Sequence, residues 1–338
     1  MAKTNLKELA AKLGVSISTV SKALKDSHEI GVQTKQRVLE MADQLGYRAN
    51  PYAGHLHSNK SKTIAFVIPE INNNFFIQAI SGAESIAKEQ AYHVLIYVTN
   101  DNFKQEESIL KHLQNGRVDG VLMSLSSHTK TYDHINTLLQ YKIPVVFFDR
   151  ICHEIETAKI TTDDFANGFI ATEHLIKNGC KDIAYLSVSD NLSIDNKRKQ
   201  GYLEALHKYD LPIDASRIIQ CWKDETDTYK KIKKLLQGNK IPDGIFSSVE
   251  KMALTTYRVC QNLKINIPET VKVICFSNLR TADLLSPSLT TITQPAFEMG
   301  KLAAFILFKQ LIKNATPLAN ENIVLKSKLN IRDSTKIN

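Results

Sequence analysis

Two groups of side chains in this 338-residue chain could do chemistry, and neither is a catalytic set. The first is Ile17, Ser18 and Lys22, spaced to share the outward face of one short helix. A lysine on such a face can donate to guanine O6 and N7, and an isoleucine can touch a thymine methyl. The second group lies at the ends of short apolar runs: residues 72–76, Ser124, Asp149, Arg150, Arg198, Glu250, Ser277 and Asn278. Aromatic faces can cover the C–H surface of a sugar-like ring while carboxylate and guanidinium groups pair with its hydroxyls. Each group has a plainer reading. Thr19 and Ser21 could be local backbone caps, Phe75 and Phe76 core residues, and Asp149 an ion-pair partner of Arg150 or Arg198.

Catalytic motifs are missing. The thirteen glycines form no G-x-G-x-x-G and no G-x-x-x-x-G-K-[ST], and neither H-E-x-x-H nor G-x-S-x-G occurs. The ten histidines are scattered, with His55 and His57 the only close pair. No enzyme, cofactor or metal site is expected. The five cysteines, at 152, 180, 221, 260 and 275, are odd in number and include no C-x-x-C. They read as buried thiols of a reducing cytoplasm, and not as a disulfide frame.

The elements that must position the first group occupy the N-terminal 46 residues. Leu6, Leu9, Ala10 and Leu13 mark one face of a helix, with Asn5 and Glu8 spaced as a capping box and Gly14 as its stop. Ser16 is an N-cap for a second helix over about 17–24, with Val20, Ala23 and Leu24 inward. Val38, Leu39, Ala42 and Leu45 repeat the stripe in a third, which Gly46 ends. Two short helices around a glycine-containing turn make a helix-turn-helix, whose second helix enters the major groove. A plain three-helix bundle that binds protein is the alternative.

From Lys62 the pattern changes to β-branched runs alternating with helical stretches. Candidate strands are 64–68, 94–98, 121–124 and 145–148, then 159–161, 183–188, 218–220, 245–247 and 271–276. Helical period fits 79–90, 105–115, 166–178 and 199–209. This alternation implies parallel sheets with helices on both faces. The series is too long for one sheet, and residues 64–68 are echoed by 183–187, so two similar lobes are expected. Ligands bind beyond the carboxyl ends of such strands, which here would flank one cleft.

Charge separates the two parts. Residues 1–62 hold ten Lys and Arg against five Asp and Glu, whereas the other 276 residues hold 33 against 30. A concentrated positive end is a footprint for a polyanion. No apolar run approaches a membrane span, and the first residues do not read as a signal peptide. An extracytoplasmic solute-binding protein could share a two-lobed body but would need an export signal and no helix-turn-helix.

The run from Leu6 to Leu24, with Val15-Ser16 and Thr19-Val20-Ser21 at its centre, resembles the head of the lac repressor–galactose repressor family. Thr34 to Val38 and Leu45 to Pro51 continue the match in register. Arg117 to Gly120, Pro144 to Arg150, Thr172 to Leu175, Gly201-Tyr202 and Ser286 to Pro295 extend it over nearly the whole chain. The resemblance implies an all-α helix-turn-helix head (1–47), a hinge (48–61) and an α/β two-lobed body (62–338). The body would be periplasmic-binding-protein-like, with two parallel doubly wound sheets. Its first lobe would hold about 62–160 and 294–320, its second about 161–293 and 321–335.

By this resemblance Ile17, Ser18 and Lys22 read bases, and Ser16, Thr19 and Ser21 contact phosphate or cap the helix. Asn50 and Pro51 could start a hinge helix too short to stand alone, and Gly54 weakens it by about 1 kcal/mol relative to alanine. There Leu56, with Ala53 on the same face, matches the residue that wedges open a base step. Gly54 departs from the family's usual arginine. Phe75, Phe76, Asp149 and Arg198 match effector-contact positions, and Ser124, Glu250, Ser277 and Gln294 sit where such contacts also occur. Glu250 and Ser277 replace common aspartates. The implied protein is a cytoplasmic homodimer that binds a palindromic double-stranded operator, with no membrane partner. It represses carbohydrate-utilisation genes, and a small sugar-like effector controls its operator affinity. Only a dozen residues follow Lys326, too few for a tetramerising heptad repeat.

Overall fold

The computed structural model describes residues 5–24, 26–47, 60–114, 116–189, 192–221, 224–313 and 321–336. They fall into two compact units that part between Ser61 and Lys62.

In the first unit, α1 (Leu6–Leu13) opens on a reciprocal capping box. Glu8 N donates to Asn5 Oδ1 at 2.9 Å, and Asn5 N donates to Glu8 Oε2 at 3.2 Å. Gly14 ends the helix in the left-handed region, at φ 65°, where a residue with no Cβ sits at little cost. Helix α2 (Ile17–Leu24) follows at once, and α3 (Val32–Gln44) closes a core of Leu9, Ala10, Val20, Ala23, Val38 and Ala42. Leu39, expected on the inward stripe, is 54% exposed. The inward face of α3 is Val38 and Ala42 with Met41 partly buried beside them, and Leu45 is partly buried beyond its end.

In the second unit, β1 (Thr63–Ile68), β2 (His93–Val98), β3 (Gly120–Met123), β4 (Val145–Phe148), β5 (Lys159–Thr162) and β11 (Asn322–Leu325) form one sheet. Its order is β11-β5-β4-β3-β1-β2, parallel throughout. Alternation along β1 sends Ile64, Phe66 and Ile68 into one core and Ala65 and Val67 into another. Helices α4 (Asn74–Glu89) and α11 (Ala296–Lys313) supply the first core, α5 (Phe103–Leu113) and α6 (Asp133–Gln140) the second. The central strands β1, β3 and β4 are therefore buried on both faces, which is why they read as continuous apolar runs.

The second sheet holds β6 (Ile183–Ser187), β7 (Ile218–Gln220), β8 (Gly244–Ser247), β9 (Lys272–Phe276), β10 (Thr290–Thr293) and β12 (Lys328–Asn330). The order is β12-β10-β9-β8-β6-β7, flanked by α7 (Asp164–Lys177), α8 (Ser193–Lys208), α9 (Glu225–Leu236) and α10 (Glu250–Leu263). Here the expectation of wholly parallel sheets needs correcting, since β12 runs antiparallel to β10. The chain crosses between sheets after β5, β10 and β11. Two lobe assignments change accordingly. Strand β5, grouped with the second set, pairs with β4 of the first sheet, and residues 322–325 pair with β5 instead of joining the second lobe.

Candidate DNA-reading helix and effector cleft

On α2, Ser16 is spent on the helix start. Its Oγ accepts the Thr19 N–H at 3.0 Å and lies 2.8 Å from Thr19 Oγ1. Ile17, Ser18 and Lys22 are exposed, Ile17 by 47%, while Thr19 and Ser21 are half-buried. A half-exposed isoleucine beside a serine and a lysine has no core to serve. Lys22 Nζ pairs with Glu29, in the turn before α3, and Lys35 Nζ pairs with Asp26 at 2.7 Å. Sequence spacing gave no hint of the Lys22–Glu29 pair. Ala53 and Leu56 lie outside the described residues.

The body carries a narrow cleft between the carboxyl ends of its two sheets, with a cavity volume of about 40 Å³. Phe75, Phe76, Asp149, Arg198, Glu250, Ser277 and Gln294 all line it. Ser124 does not: it is fully buried at the end of β3, and its Oγ accepts the Arg150 N–H at 3.4 Å.

Each side chain is set by an element end. Asn73 caps α4, its Oδ1 accepting the Phe75 N–H at 3.0 Å, which turns Phe75 and Phe76 inward. The two rings pack edge to face at 5.2 Å, and Phe76 meets Phe148 at 6.3 Å. Asp149 follows β4 with φ 60°, a left-handed conformation that aspartate tolerates better than most residues. Its N–H donates to Ile160 O at 2.9 Å. Burial pushes the Asp149 carboxyl above the usual carboxylate range, against the pull of Arg198 and Arg150.

Arg198 is 3% exposed, yet its charge is accounted for. Its Nε donates to Asp164 Oδ1 at 2.8 Å, Nη1 to Ser248 O at 2.8 Å and Nη2 to Gln294 Oε1 at 3.4 Å. The guanidinium lies 3.7 Å from the centre of the Phe276 ring. Burial lifts Asp164 to about 6 in spite of Arg198, so it is mostly ionised at neutral pH. Arg150 Nη1 donates to Asp101 Oδ1 at 2.8 Å. Neither arginine forms an ion pair with Asp149; their partners are Asp101 and Asp164.

The lobes meet across the cleft through neutral amides. Asn74 Nδ2 of α4 donates to Glu250 Oε1 of α10 at 2.9 Å, and Gln78 Nε2 donates to Asn278 O at 3.1 Å. Ser277 Oγ donates to Glu250 Oε2 at 2.6 Å. Gln294 Nε2 donates to Thr162 Oγ1 at 3.0 Å, tying two of the crossing segments together. Asp164, Asp101, Gln78 and Phe276 escaped the sequence reading, whereas Asn74 lies within the expected 72–76 segment. Only Asp164 had a usable signal: Asp163 is a good N-cap, so α7 could have been started before Ala166.

Residues 5–50 match the family of bacterial regulatory proteins of the lacI type, and residues 172–335 match the periplasmic binding protein-like domain. Catabolite control protein A of Priestia megaterium is 29% identical over 330 residues, covering 97% of this chain and 98% of that protein. The HTH-type transcriptional repressor PurR of Histophilus somni is 29% identical over 332 residues, covering 98% of each. A periplasmic binding protein/LacI transcriptional regulator from Alkaliphilus metalliredigens, solved with D-xylulofuranose, superposes with TM-score 0.71 at 28% identity. It covers 82% of this chain and all of that one. Among the described residues no helix is long and apolar enough to cross a membrane. With an exposed reading face on a lacI-type helix-turn-helix and a polar cleft in a periplasmic-binding-protein-like body, this chain belongs to the lacI family of bacterial regulatory proteins and is a DNA-binding transcriptional regulator.

Proposed function

We propose that the chain is a cytoplasmic repressor of carbohydrate-utilisation genes, with no enzymatic activity, and that a sugar in the body cleft sets its affinity for a palindromic operator. The observation that carries the effector reading is the composition of the cleft. Two aromatic rings, two carboxylates and a braced guanidinium converge where the ends of both sheets meet. That set suits the apolar faces and hydroxyl rim of a sugar ring. The Alkaliphilus relative, solved with D-xylulofuranose, supports the same ligand class.

Ile17, Ser18 and Lys22 read base edges in this proposal, and Ser16, Thr19 and Ser21 fix the helix against phosphate. Two copies of the chain supply the two heads a palindrome needs. The sequence resemblance assigns Leu56 and Ala53 to the operator centre. Coupling is differential affinity: the effector acts only by preferring one arrangement of the lobes. Asn74–Glu250 and Gln78–Asn278 are contacts that would form or break as the lobes move.

The test is a sugar screen by thermal shift, followed by operator binding with and without each hit. Asp149→Asn keeps a residue that tolerates the left-handed backbone but removes the carboxylate. It is expected to lose the effector response while binding operator without effector. An unchanged response would take Asp149 out of the site.

A further inference from the structure

We propose that the effector carries no anionic group: the cleft takes a neutral polyol and rejects its phosphate ester. This deepens the sugar reading and rests on its placing the effector in this cleft.

The argument is one of charge. Two cations line the cleft, Arg150 and Arg198, and each is held by a carboxylate behind it at 2.8 Å, Asp101 and Asp164 respectively. Arg198 is further fixed by Ser248 O, Gln294 and the Phe276 ring, so it cannot swing toward a new anion without giving up several partners. Two more carboxylates, Asp149 and Glu250, line the same space, one from each lobe. Among the described residues neither of them makes an ion pair. The cleft therefore sets two guanidiniums against four carboxylates, and the next charges out, Glu70 near Asp149 and Lys197 near Asp164, are one of each sign.

Two carboxylates, Asp149 buried and Glu250 partly exposed, with no uncommitted cation beside them make a poor host for phosphate. Anion sites present free guanidinium or ammonium groups or backbone N–H groups to the ligand. Here an entering phosphate would face Asp149 and Glu250 in a space where charges are weakly screened. Ionised carboxylates are acceptors only, so they suit a ligand that brings hydroxyl donors. A polyol brings many, and can bridge Asp149 of one lobe to Glu250 of the other.

The experiment uses the full chain in two arms, both read by thermal shift. In the first, each neutral sugar that raises the melting temperature is compared with its monophosphate ester. The ester is expected to bind about tenfold more weakly or worse, as like-charge juxtaposition requires. An ester that binds as well as its sugar overturns the proposal. The second arm needs no known effector and uses inorganic phosphate at constant ionic strength. Wild type is expected to show no saturable stabilisation, and Asp164→Asn, which leaves Arg198 uncompensated, is expected to gain one. Asp101→Asn frees Arg150 in the same way and serves if the first variant does not fold. Saturable stabilisation of wild type that Arg198→Gln abolishes would overturn the proposal, as would two folded variants that both ignore phosphate. If every sugar fails while the phosphate arm behaves as expected, the sugar reading falls and the charge assignment stands.

Discussion

Lys22 is the cation best placed to read a base, and in the free protein it is already occupied by Glu29. Both side chains are about half exposed, at 45% and 54%, so the pair contributes only ~0–1 kcal/mol and can be exchanged for guanine. Lys22→Ala is expected to relax preference at one base pair per half-site, at a cost of about 1–3 kcal/mol on the matching operator. Isotherms on operators substituted at each position would show it, and an equal loss on every sequence would make Lys22 a phosphate contact. Glu29 adds a second arm. Glu29→Gln removes an anion from beside the duplex and should tighten binding to all sequences, most at low salt, where phosphate attraction is strongest. The outward face of α2 was legible because helical period alone separates Ile17, Ser18 and Lys22 from Val20 and Ala23. The Lys22–Glu29 pair was not, because seven residues and a turn lie between its members and no spacing rule covers that geometry.

Helices α7 and α8 hold the cleft arginine in place by approaching closer than side chains allow. A Cβ on Gly201 would fall 2.2 Å from Phe165 O and 2.6 Å from Phe169 N, and one on Gly168 would fall 2.4 Å from Arg198 O. Gly201→Ala must therefore push α8 off α7, and Arg198 lies one turn away on α8. A destabilisation of roughly 1–3 kcal/mol is expected, the usual cost of overpacking, and urea unfolding would measure it. Effector response should suffer more than operator binding, and a variant of wild-type stability would mean that the helices can part freely. Most of this architecture could be read from the chain. Strands β1, β3, β4, β6, β8 and β9 announced themselves as apolar runs because they are buried on both faces. Strands β10, β11 and β12 did not. Strand β10 is mostly threonine, and the two others are partly exposed edge strands. The lobe to which β5 belongs is decided by its pairing with β4 and β11, which local pattern does not encode. Asp164 was missed for the same reason: its partner Arg198 is 34 residues away.

The cleft divides its charges between the lobes, and that division couples ligand, closure and pH. Asp149 follows β4 of one lobe, whereas Glu250 and Asp164 begin helices of the other. Closing the lobes thus brings carboxylates together, which raises the Asp164 pKa further through Asp149. A ligand that donates hydroxyls to both sides relieves this, and so binds the closed arrangement better than the open one. The same repulsion has a signature without ligand. Burial lifts Asp164 from 3.8 to about 6, so between those values the folded chain keeps a proton that the unfolded chain has released. This proton stabilises the fold fully below about pH 4, and its contribution fades as pH rises through about 6. Asp149 shifts in the same direction, for the same first cause, burial. Asp164→Asn removes the titration, so the variant should gain stability relative to wild type as pH rises from 4 to 7. A shift from 3.8 to about 6 sets a ceiling of about 3 kcal/mol on that gain. Urea unfolding of both proteins at matched pH values would measure the difference. A gap that stays constant across the window would mean that Asp164 is ionised throughout. Arg198 would then be compensated at every pH, and acidification alone could not open the cleft to phosphate. If instead the gap widens with pH, wild type should begin to bind inorganic phosphate below pH 6, where Asp164 takes up its proton and leaves the guanidinium uncovered.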